Sequence, residues 1–154
     1  MTSLGFATLV MCAHPQAVYA QLSSTLTVTN GTITFPAPTP ADLTAGTLAA
    51  SAPVTFQVTP AATAASTTVT ITASGAAMGG SKSIADLQWR RGDLGSWQSL
   101  TQSDVFVESR TYTLLSPRPA WSNTIHFRVV VRWTGDPPAA YVGTYVITLT
   151  QTLL

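Results

Sequence analysis

Two segments alternate with a period of two residues, and they constrain this chain more than any other feature. In Thr124–Trp133, Ile125, Phe127, Val129, Val131 and Trp133 share one side, and His126, Arg128, Val130 and Arg132 share the other. In Tyr141–Thr152, Tyr145, Ile147 and Leu149 alternate with Thr144, Val146, Thr148 and Thr150. Successive side chains of a strand point to opposite faces, so this pattern describes strands with one buried face. No window sustains an apolar period of 3.6 residues, and the sequence predicts no helix.

Shorter segments repeat the pattern. Pro53–Val58 and Thr67–Ala73 alternate apolar residues with Thr or Gln. Leu43–Leu48, Val105–Val107 and Thr111–Leu115 are further strand candidates, and Gly75–Ser83 reads as a loop. Leu26–Thr29 and Thr32–Phe35 flank Asn30-Gly31, the pair best suited to the positive φ angles of a tight turn. This predicts a hairpin with Leu26 opposite Phe35. Leu87–Arg90 and Ser96–Leu100 flank Arg91–Gly95 and predict a second hairpin. Some eight to ten short strands with turn signals between them predict an all-β fold. The expected form is a single antiparallel β-sandwich of immunoglobulin-like type.

Composition narrows the function classes. Only 8% of the 154 residues are charged, the formal net charge is +1, and 26 residues are threonine. Seven Lys+Arg against six Asp+Glu give no basic surplus for nucleic acid. Residues 1–20 carry an apolar run, Leu4–Cys12, and end in the small-x-small triplet Val18-Tyr19-Ala20. This predicts a signal peptide cleaved after Ala20, and a run too short to anchor the chain across a membrane. The mature domain, 21–154, then lacks cysteine and holds one histidine, His126. The expected location is secreted, periplasmic or on the cell surface.

No catalytic set emerges. His126 is the one imidazole of the mature chain, no Gly-x-Ser-x-Gly elbow occurs, and no cofactor or metal motif is present. Asp104 and Glu108 are four residues apart and read as solvated charges. Arg90-Arg91-Gly92-Asp93 contains an Arg-Gly-Asp tripeptide at the expected hairpin tip, which is also ordinary turn chemistry. The expectation is a non-enzyme.

Binding candidates are aromatic and basic. Flat aromatic faces suit sugar rings. Trp89 and Trp133 are the expected core tryptophans, and Trp121, between prolines and Ser122-Asn123, is the one expected to be exposed. Trp97, Trp121, Arg128 and Arg132 form the candidate ligand set.

The segments Leu87-Gln-Trp89, Trp97-Gln98, Phe127-Arg128 and Gly143-Thr-Tyr145-Val-Ile-Thr-Leu-Thr150 resemble exported bacterial β-sandwich modules of the spore-coat-U-like and fimbrial kind. The resemblance spans roughly Leu43 to Thr150. It implies a non-catalytic envelope or surface role. Two readings stand: a structural or adhesive domain that associates with itself or another surface protein by strand-edge pairing, or a carbohydrate-binding module using exposed tryptophan. Leu26–Phe35 and Tyr145–Leu154 are the candidate pairing elements.

Overall fold

A computed structural model describes residues 23–29, 32–62, 65–79, 82–92, 94–136 and 139–154. The expected signal peptide, the Asn30-Gly31 turn and Asp93 lie outside the described residues. The strands are β1 (Thr25–Val28), β2 (Thr32–Phe35), β3 (Thr47–Ala49), β4 (Val54–Thr59), β5 (Thr67–Met78), β6 (Leu87–Arg91), β7 (Gln98–Ser99), β8 (Val105–Tyr112), β9 (Trp121–Val130) and β10 (Tyr141–Leu153). One short helix, α1 (Pro40–Ala45), precedes β3.

The strands form two antiparallel sheets. The first runs β1-β4-β9-β6-β7, with β3 also paired to β9; the second runs β2-β10-β5-β8. Alternation explains the layering. Val54, Phe56 and Val58 of β4, Ile125, Phe127 and Val129 of β9, and Val69 and Ile71 of β5 are buried in one core between the sheets. Their neighbours in sequence, largely threonine on β5 and β10, face outward. The fold is all-β and sandwich-like, as the period-two pattern requires.

The hairpin expected over Leu26–Phe35 does not form. β1 pairs with β4 in the first sheet, whereas β2 pairs with β10 in the second. Leu26 is partly buried in the core and Phe35 fully buried, approaching it from opposite sheets. An inward apolar face satisfies the alternation equally well in either arrangement. The second hairpin does form, with Gln88 opposite Ser99 and Trp89 opposite Gln98.

Leu43–Leu48 also departs from expectation. Thr39 caps α1: its hydroxyl accepts from Asp42 N, and the Asp42 carboxylate accepts from Thr39 N. Pro40 opens the helix and Gly46, at φ 74°, closes it. Only β3 remains as strand. The expected loop at Gly75–Ser83 is strand as far as Met78, and the two candidates at Val105–Leu115 merge into β8. Gly75 lacks a side chain for a steric reason, since a Cβ there would run into Ile84.

Polar side chains close the margins of the sandwich. Glu108 of β8 pairs with Arg91 of β6 at 3.5 Å and accepts from Asn123 of β9 at 2.9 Å. Lys82 lies almost wholly buried where the chain enters β6. Its ammonium donates to Asp136 Oδ2 at 2.6 Å and to the Val130 carbonyl. Asp136 also accepts from the Arg132 backbone N–H. Burial disfavours the charged form of Asp136, but these bonds and the charges of Lys82 and Arg132 outweigh it. Its carboxyl is held below the ordinary value.

β10 is covered unequally. β2 pairs only with Tyr141–Thr144, so from Tyr145 onward β10 has β5 on one side and no strand partner on the other among the described residues. Ile147 and Leu149 point inward yet are only partly buried, as expected beside an open edge.

Candidate functional site

The outer face of the first sheet carries the most distinctive group of side chains. β6 and β9 pair so that Arg90 stands opposite His126 and Gln88 opposite Arg128. All four are partly exposed, while Leu87, Trp89, Phe127 and Val129 between them point into the core. Trp97 immediately precedes β7. The Trp89–Gln98 register brings it alongside Arg90. Its ring lies 4.9 Å from the Arg90 guanidinium carbon and 4.4 Å from that of Arg128. A guanidinium attracted to an indole in this way contributes about 0.5–2 kcal/mol and holds both groups in place.

A wall stands on the opposite side. Leaving β3, the chain crosses β9 with Ala50 N donating to the Phe127 carbonyl, and then reaches the second sheet where Ser51 N donates to the Thr34 carbonyl. Ala49, Ser51 and Pro53 thereby enclose, with Arg90, Trp97 and His126, an open depression of about 190 Å³. Arg128 borders it, its Nε donating to Gln88 Oε1 at 2.7 Å. Burial, and then repulsion from Arg90, push the Arg128 guanidinium below its ordinary pKa.

The candidate set from sequence is divided by the fold. Trp97 and Arg128 come together here. Arg132 lies beyond the end of β9 and is bound to Asp86 at 2.8 Å. The expected exposure of Trp121 is corrected: it is 5% exposed, packed edge-on against Phe56 at 5.7 Å, with Arg110 4.5 Å from its ring. Trp133, expected in the core, is 61% exposed because β9 ends at Val130 and the chain turns away. Trp89 is buried as expected. Arg90 and Ser51 were missed. Only the pairing of β6 with β9 reveals Arg90's place, since local sequence marks it simply as the last residue of a strand arm.

The other sequence candidates are engaged elsewhere. Glu108 serves the ion pairs at the margin, and Asp104 accepts from Thr72 on the second sheet. Arg91 of the Arg-Gly-Asp tripeptide is turned inward to Glu108 and the Val107 carbonyl. No group of three or more metal-ligating side chains occurs among the described residues.

No family model matches the chain, and neither a curated protein nor a solved structure matches it.

Proposed function

We propose that the protein is an exported, non-catalytic adhesive domain of a cell surface, and that it holds carbohydrate on Trp97. The observation that carries this reading is a partly exposed tryptophan, fixed by two arginines, on the rim of an open depression. A sugar ring gains most from an aromatic face that is already immobilised, because little side-chain freedom is then lost on binding. The serine hydroxyl and guanidinium groups at the rim supply hydrogen bonds that fix orientation. An immunoglobulin-like classification is supported by the first sheet, whose order β1-β4-β9-β6 parallels the A-B-E-D succession, and by β10 beside β5 in the second, which parallels F beside C.

A glycan array probed with the chain 21–154 tests the proposal. Hits are expected with the native chain, and Trp97→Ala is expected to abolish them while the chain stays folded, losing no more than the two cation–π contacts. A blank array, or hits unaffected by Trp97→Ala, removes the basis of the reading.

The assembly part of the reading rests on a separate observation, the open half of β10. Residues 139–154 contain no charged side chain, so this edge lacks the lysines that discourage strand pairing. The partner we assign is β10 of a second copy. Centred on Leu149, a two-fold antiparallel pairing sets Thr148 against Thr150 and Val146 against Thr152. The native chain is expected to associate reversibly in sedimentation experiments at high micromolar concentration. The double variant Thr148→Lys/Thr150→Lys should be monomeric, and mixing it with Thr148→Glu/Thr150→Glu should restore association. A native chain that stays monomeric throughout excludes this pairing.

A further inference from the structure

The charges around Trp97 go further than a sugar-binding surface requires. The other cations are held by carboxylates or, in one case, by several neutral oxygens. Lys82 pairs with Asp136, Arg132 with Asp86, and Arg91 and Arg110 with Glu108. Arg118 is bound by the Thr67 hydroxyl and the carbonyls of Ala61 and Ala65. Arg90 and Arg128 also lack a carboxylate partner among the described residues: Arg128 has the neutral Gln88, Arg90 Nε has no hydrogen bond, and the two guanidinium groups share one indole.

Placing two guanidinium groups together is costly. Arginine stays protonated at any physiological pH, so neither can relieve the repulsion by losing a proton. Part of that charge is withdrawn from water, since Arg90 Nε is buried and has no hydrogen-bond partner. His126, opposite Arg90, adds a third basic side chain, and among the described residues no acidic side chain lines the depression. In a chain with only 8% charged residues, this concentration of unmatched cations is not a by-product of composition.

We infer that the ligand at this site is anionic: a glycan carrying carboxylate or sulfate groups, with Arg90 and Arg128 forming charge-assisted hydrogen bonds to the acid and Trp97 supporting the ring beside it. Guanidinium suits either acid because its planar fork matches two oxygens at once. This rests on the carbohydrate reading and names the ligand class within it.

The test is calorimetric titration of the chain 21–154 with three probes: an oligogalacturonate hexamer, the same hexamer as its methyl ester, and a heparin hexasaccharide. The acid hexamer or the sulfated probe is expected to bind at least about tenfold more tightly than the ester, a difference of about 1.4 kcal/mol. Whichever probe binds identifies the acid as carboxylate or sulfate. Binding should weaken as salt is raised, because the contact is exposed to screening. Arg90→Gln and Arg128→Gln should each remove the preference while the chain stays folded, since lost like-charge repulsion offsets part of the lost contact with Trp97. Equal binding of acid and ester overturns the anionic inference and leaves the carbohydrate reading standing. Failure of all three probes, joined to a blank glycan array, overturns both.

Discussion

Lys82→Ala is expected to lower folding stability by about 3 kcal/mol, measured by urea unfolding of the chain 21–154. Breaking a buried ion pair costs about 3–5 kcal/mol because the surviving charge loses its partner. The lower end applies here, since Asp136 keeps the Arg132 N–H and Asp86, 3.9 Å from the ammonium, stays paired with Arg132. Without the ammonium, the Val130 carbonyl also loses its donor, and the Asp136 carboxylate keeps only the Arg132 N–H. The effect carries a pH signature. Asp136 titrates below its ordinary value in the folded chain, so its contribution is present above about pH 4 and fades as pH falls through the folded value. The gap between native and Lys82→Ala chains should therefore narrow in acid. A gap below about 1 kcal/mol, typical of a surface pair, would show that the Lys82 cluster does not hold the 132–136 turn.

Trp121→Ala is expected to cost about 3–5 kcal/mol, the range for truncating a large buried aromatic. Its ring fills the start of β9 against Phe56, and its removal would also leave Arg110 without the face it covers. Trp97→Ala should cost only its two partly exposed cation–π contacts, about 1–2 kcal/mol in all, and act chiefly on binding. The two substitutions thus separate a structural tryptophan from a ligand-contacting one. If Trp121→Ala melts with the native chain and loses glycan binding, Trp121 belongs to the site and not to the core.

The tryptophans also show what the sequence could and could not convey. Trp121 has the same parity as Ile125, Phe127 and Val129, which were correctly read as core. Extending that parity back across Asn123 would have predicted its burial; the neighbouring prolines obscured it. Parity still holds at Val131, which is buried, but misleads for Trp133, because the strand has ended and the chain turns away. The Asn-Gly pair between β1 and β2 is a sound local turn signal, but turn chemistry does not specify which strand each arm will join. α1 is too short for periodicity to reveal, although Thr39-Pro-Ala-Asp42 and Gly46 carried its caps. The longest strands were legible because each has one face sealed in the core over many residues.

The site was half legible. Trp97 and Arg128 stood out as a platform and a charge, but nothing local places them 4.4 Å apart. Their meeting depends on β6 pairing with both β7 and β9, and the β9 partner is some forty residues distant in sequence. Arg90 enters by the same register.

The most direct measurement of whether Trp97 is the ligand contact is the set of four indole N–H resonances of ¹⁵N-labelled chain, followed while the strongest glycan from the array is added. Trp133 serves as the internal control, because it is the most exposed tryptophan and lies away from the depression. The account predicts that the Trp97 indole shifts and saturates while those of Trp89, Trp121 and Trp133 stay in place. A saturable shift of Trp133 with Trp97 unmoved would contradict it.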